Sequence, residues 1–99
     1  METAGKGVKT RKKRTADAWE ALSDRTRREI LTMLKHRPHT AGEIADQFEL
    51  SGATVSHHLS VLRESGLVVY ERRAQTLIYS LNKPAFREVA DEIAFFLKK

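Results

Sequence analysis

The sequence predicts a mainly α-helical fold with one small β-hairpin (α+β), in the order ααααββα. Three observations carry this. Apolar residues recur at helical spacing from residue 16 to about residue 64. Past Gly66 the pattern becomes extended over residues 67–72 and 76–81. A helical pattern then returns behind Asn82 and Pro84.

The elements follow in order. Residues 16–22 form a short first helix with Ala18, Trp19 and Leu22 along one side. Ser23 is the expected cap of a second helix, whose face carries Ile30, Leu31 and Leu34 and which stops before Pro38. Thr40-Ala41-Gly42-Glu43 is a capping box opening a third helix that buries Ala41, Ile44 and Ala45. Phe48-Glu49-Leu50 makes a turn, Ser51 caps a fourth helix, and Gly66 is its left-handed stop. Arg73, Ala74 and Gln75 connect the two strands. Asn82 is the expected cap of the last helix, on which Phe86, Val89, Ala90, Ile93, Ala94, Phe96 and Leu97 form a wide apolar face.

Ninety-nine residues fit one domain, and a chain of this size gains stability by dimerising. The net charge of +5 is unevenly placed. Residues 1–15 carry six basic side chains against Glu2 alone, whereas residues 16–99 carry twelve of each sign. The division is therefore a disordered basic tail, 1–15, and a folded domain, 16–99. The tail is either a solvated charge run or an arm that contacts phosphates. The balanced domain must bind any polyanion through a local patch. No apolar run approaches the length of a membrane span, and no secretory signal follows the basic start, so a cytoplasmic location is expected. With no cysteine, disulfides, thiolate metal sites and thiol sensing are excluded from this chain.

The third and fourth helices, joined by a short turn, form a helix-turn-helix unit. At about 100° per residue, Val55, Leu59 and Leu62 point together on the fourth helix. Opposite them lie Ala53, His57 and Ser60, with Thr54 and Ser56 on the flanks. Small residues, hydroxyls and an imidazole allow a close approach to a major groove, where they can bond base edges or phosphates. The amides of Gly52 and Ala53 can face a phosphate. The bland alternative is an ordinary solvated helix face. Arg72 and Arg73, with Gln75, sit at the hairpin tip and suit phosphates or an adjacent minor groove. Their bland role is to keep an edge strand soluble. Thr40 and Arg63, at the two ends of the unit, complete the candidate DNA-contacting set.

Ser23-Asp24-Arg25-Thr26-Arg27-Arg28-Glu29-Ile30-Leu31 resembles the opening signature of the ArsR family of winged helix-turn-helix regulators. The run from Thr54 to Val68 resembles that family's reader helix and its step into the wing. The ending Ile78-Tyr79-Ser80-Leu81-Asn82 is similar to the SdpR-like autorepressor subgroup. The resemblance spans about residues 17–97. It implies a bacterial homodimeric repressor of double-stranded DNA, acting on a pseudo-palindromic operator. It places Gly52, Ala53, Ser56 and His57 at base- and phosphate-contacting positions. It implies a dimer interface on the first and last helices, here Trp19, Leu22, Phe86, Val89, Ala90, Ile93, Phe96 and Leu97. Three positions depart from the family pattern: Arg25 replaces a proline, and Glu49 and Ala74 stand where glycine is usual.

Neither a metal site nor a cofactor is expected. The last helix offers Glu88, Asp91 and Glu92 without a histidine, and His36 and His39 straddle Pro38 as two ligands only. His58 lies about 60° from Val55 on the wheel and is expected to pack beside the core. No glycine-rich phosphate loop or nucleophile elbow appears, so no catalytic residue is assigned. Two alternatives stay open: a derepressor sensing a small molecule in a pocket at the dimer interface, or a winged-helix module that binds a regulatory protein partner.

Overall fold

The computed structural model describes residues 17–99, so the basic stretch 1–15 and Ala16 lie outside the described residues. Helix α1 is described over residues 17–22. It is followed by α2 (Arg25–His36), β1 (His39–Thr40), α3 (Ala41–Phe48), α4 (Gly52–Glu64), β2 (Val68–Arg73), β3 (Thr76–Leu81) and α5 (Lys83–Phe95). The order matches the expectation with one addition, the two-residue strand β1. No helix among the described residues is long and apolar enough to cross a membrane.

Local chemistry sets the boundaries, and two caps differ from expectation. The N-cap of α2 is Asp24, whose carboxylate accepts from the Arg27 amide at 2.9 Å. Ser23 instead turns back and donates its hydroxyl to the Glu20 carbonyl. At α5, Asn82 holds the cap position without a side-chain cap bond. Its Nδ2 donates to the Gly66 carbonyl at 2.8 Å, tying the start of α5 to the end of α4. The capping box at Thr40 and Glu43 forms in full. Gly66, at φ 85°, ends α4 with both bonds of a Schellman motif, Leu67 N–H to the Leu62 carbonyl and Gly66 N–H to the Arg63 carbonyl.

The core lies where α2, α3, α4 and the sheet meet. Ile30, Ile44, Val55, Leu59, Leu62, Leu67 and Val68 are fully buried, and α1 adds Ala18 and Ala21. Trp19 stays partly exposed and Leu22 half-buried, so the buried side of α1 is its alanine side. Ala41 and Ala45 are half-buried at the edge of this core.

The sheet has the order β1-β3-β2 and is antiparallel throughout. Strand β1 escapes a sequence reading because it is only two residues long. Thr40, extended as the N-cap of α3, simultaneously pairs with Ile78, and His39 pairs with Tyr79. One residue therefore anchors the entrance of the helix-turn-helix to the middle of the hairpin.

Candidate nucleic-acid interface

Helix α4 is held by its apolar row and presents the rest outward. Val55, Leu59 and Leu62 are buried, while Gly52, Ala53, Thr54, Ser56 and His57 are exposed. Ser60, on the expected outward face, is half-buried. The first turn of α4 carries no acidic residue, which leaves its amide end electropositive. A methyl group at Gly52 would meet no protein atom within 4 Å, so packing does not require glycine there. Ser51 accepts from the Thr54 amide at 3.1 Å and donates its hydroxyl to Thr54 Oγ1 at 2.9 Å, which orients the Thr54 side chain at the helix tip. The Thr40 hydroxyl accepts from the Glu43 amide.

The turn between α3 and α4 reverses through Glu49 at φ 55°, a left-handed residue. The strand pairing runs to Arg73 opposite Thr76, so the hairpin turns on two residues rather than three. Ala74 takes φ 57° at the first of them, a position that favours glycine. Both non-glycine residues noted as departures from the family pattern thus adopt the conformation for which glycine is suited.

The wing separates its two arginines. Side chains alternate along a strand, so Arg72 shares a face with Tyr70, and Arg73 with Glu71. Arg73 Nε donates to Glu71 Oε2 at 3.0 Å, so Arg73 has the fixed partner that the sequence did not suggest. Among the described residues Arg72 makes no ion pair. On its face the Tyr70 ring meets Tyr79 at 5.7 Å, and the Arg63 guanidinium lies 5.1 Å over the Tyr70 ring. Arg63 and Tyr70 therefore stack where the end of α4 meets the wing, with Arg72 further along the same strand face. Tyr70 was missed at the sequence level, although the alternation Val68, Tyr70, Arg72 marks it. Gln75 is exposed at the tip.

His58 is half-buried on the α2 side of α4 and belongs to the packing rather than the exposed face. Burial pushes its pKa down, and Arg27 and His57 act in the same direction. Asp24, with Oδ2 4.0 Å away, opposes them. Asp24 is itself held below its ordinary range, first by the Arg27 amide. Glu43 is lowered chiefly by the Thr40 amide.

The residues assigned to an interface divide into two groups. Val89 is buried in the core of its own chain, and Leu22 and Phe86 pack half-buried against it. Ala90 is exposed, and Ile93, Phe96 and Leu97 are 47%, 81% and 82% exposed. Phe95, which the apolar spacing had passed over, is 68% exposed with its ring edge-on to Phe96. Trp19 joins this region by donating Nε1–H to Glu92 at 3.0 Å. The end of α5 is an apolar patch that the other described residues leave exposed.

A groove of about 580 Å³ opens between α2 and α3, lined by Glu29, Thr32, Met33, His36, Arg37, His39, Gln47 and Phe48. His39 is buried there with Nδ1 3.2 Å from Glu43. Among the described residues no three His, Cys, Asp or Glu side chains converge as a metal site.

Comparisons with known proteins agree with this architecture. A helix-turn-helix domain family matches residues 22–71. The transcriptional repressor SdpR of Bacillus subtilis is 36% identical over 83 residues, covering 84% of this chain and 92% of the relative. The transcriptional activator HlyU of Vibrio cholerae is 38% identical over 63 residues, covering 64% of this chain and 58% of the relative. The solved structure of an ArsR-like transcriptional regulator from Rhodococcus sp. RHA1 superposes with a TM-score of 0.79 at 26% identity, covering 88% of this chain and 82% of that one. With helix-turn-helix, wing and family match in agreement, the chain belongs to the ArsR family of winged helix-turn-helix transcriptional regulators.

Proposed function

We propose that the chain is a homodimeric repressor that reads a pseudo-palindromic operator with α4 and grips flanking phosphates with its wing. The observation that carries this reading is the exposed, acid-free first half of α4, with Ala53, Ser56 and His57 presented beside the arginine-bearing wing. Gly52 and Ala53 offer amides to a phosphate, and Ser56, His57 and Ser60 offer groups to base edges. Arg63, Arg72 and Gln75 serve backbone contacts, with Arg73 sharing its charge with Glu71. Repression rather than activation is supported by the similarity to SdpR, the longer of the two sequence matches. The dimer forms through the uncovered end of α5 and Trp19, because an apolar patch of this kind is covered in a stable protein. The protein acts in the cytoplasm, on the nucleoid when bound to DNA. It catalyses no reaction, and its DNA binding needs neither metal nor thiol.

Selection from a random-sequence duplex pool, followed by footprinting with and without chelator, tests the proposal. Two matching half-sites about 10–10.5 bp apart, protected equally in both conditions, are expected. A single half-site held by a stable monomer, or a stoichiometric metal requirement, would overturn it.

The groove between α2 and α3 favours a second reading, in which a small-molecule effector relieves repression. Its volume lies within the usual range for ligand pockets. Effector-induced resonance shifts confined to Met33, His36 and Phe48 would support that site. Shifts at the end of α5 would place the effector between protomers.

A further inference from the structure

Arg27 joins three helices. Its Nε donates to the Ala21 carbonyl at 2.9 Å and its Nη2 to the Glu20 carbonyl at 3.3 Å, so it satisfies the C-terminal end of α1. Its Nη1 lies 3.4 Å from Nδ1 of His58 on α4. Its own amide is held by Asp24 in the cap of α2. Arg28 reinforces the same junction with a 2.7 Å bond from Nη1 to the Leu22 carbonyl.

Both ends of this connection lead to surfaces with assigned work. In α1, the residue before Glu20 is Trp19, which bonds Glu92 on α5 beside the exposed apolar patch. In α4, the residue before His58 is His57, exposed on the reader face with its ring 5.9 Å from that of His58. The chemistry of the link is specific. A guanidinium only donates, so the Arg27 contact favours the tautomer in which His58 Nδ1 accepts and the ring proton sits on Nε2. The planar fork reaches the α1 carbonyls and the imidazole from one rigid group. A rotation of α1 against α2 therefore strains or drags the bond to α4. The charged and titratable groups facing His58 are Asp24 and Arg27 from α2 and His57 from α4.

We infer that Arg27 is a positioning residue that couples the seating of α1 and α5 to the orientation of the reader helix, acting through His58 on His57. This rests on the reading of α4 as the reader. The coupling predicts a loss of discrimination between sequences, not a general loss of DNA affinity. The general electrostatic attraction belongs to the wing and the helix end, which Arg27 does not touch.

The test uses the full chain, the selected duplex and its scrambled version, with Arg27→Gln, His58→Leu, His58→Asn and the double variant Arg27→Gln/His58→Leu. Arg27→Lys, which keeps the charge but not the fork, replaces Arg27→Gln if that variant does not fold. Arg27→Gln and His58→Leu are each expected to lower the selected-to-scrambled affinity ratio about tenfold, with scrambled affinity unchanged. The double variant should fall no further than either single one, because both remove one coupling. His58→Asn, which keeps an acceptor near the position of Nδ1, should retain most of the ratio. A lowered Tm with an unchanged ratio, or losses that add in full, would overturn the inference. A wild-type protein with no preference for the selected duplex would overturn the reading of α4, and this inference with it.

Discussion

Truncating Phe96 should weaken the dimer without unfolding the chain. Phe96 is 81% exposed at the C-cap of α5, so its removal leaves no cavity in the protomer's core. Complete burial of a phenylalanine contributes about 1.5–3 kcal/mol. With most of the ring available to bury, the loss on Phe96→Ser is about 1.5–2 kcal/mol per protomer. In a twofold dimer the same residue is lost twice, giving about 3–4 kcal/mol in all. That raises the dimer dissociation constant by a factor on the order of 10²–10³. Sedimentation equilibrium over a concentration series reads the constant, and circular dichroism confirms that the protomer stays folded. Val89→Ala is the contrasting change, because Val89 is buried in its own chain and its truncation should lower Tm. A dissociation constant unchanged by Phe96→Ser, or a wild type monomeric throughout, would rule out the end of α5 as the dimer face.

The wing, the helix end, the tail and one histidine give further expectations. Arg72→Ala should flatten the salt dependence of DNA binding by about one unit of slope, and Arg73→Ala by less, because Glu71 already neutralises Arg73. Equal effects in a salt series would contradict that division. Gly52→Ala should leave Tm unchanged or raised, because the added methyl meets no protein atom. It should nevertheless weaken DNA binding if the amide approaches a phosphate, which paired melting and binding curves will show. Deleting residues 1–15 should reduce the salt slope if the tail touches DNA, and leave it unchanged if the tail is merely solvated. For His58, burial keeps the folded pKa below the ordinary value of about 6.5. The unfolded chain therefore takes up more protons as pH falls. Its stabilising contribution is full above about pH 6.5 and is lost as pH drops through the folded value. Tm should fall more between about pH 7 and pH 5 in the wild type than in His58→Asn, and parallel curves would contradict this.

The regular elements were legible because their signals are local. The row Val55, Leu59, Leu62, the Thr40–Glu43 box and Gly66 each state their role within a few residues. The cap of α2 falls one residue later than the sequence suggests because neighbouring polar residues compete for it, whereas Asn82 keeps its cap position and only its side chain bonds elsewhere. Asp24 took the amide of Arg27, and the Asn82 side chain found the carbonyl of Gly66, 16 positions away. No local rule reports such a partner. The apolar face of α5 was visible as a stripe, but its division was not. Val89 and Phe86 turn to the core while Phe95, Phe96 and Leu97 remain outside. On the reader side, the exposed residues of α4 were read from periodicity alone, whereas the Arg63–Tyr70 stack and the Arg27–His58 link need the tertiary fold.

In the proposed complex α4 reads sequence while the wing supplies general affinity. The direct test compares wild type, His57→Ala and the Arg72→Ala/Arg73→Ala pair on selected and scrambled duplexes across a salt series. His57→Ala should cost about 1–3 kcal/mol on the selected duplex and little on the scrambled one. The arginine pair should weaken both about equally and flatten the salt slope. A selected-to-scrambled ratio untouched by His57→Ala but collapsed by the arginine pair would assign readout to the wing instead of α4.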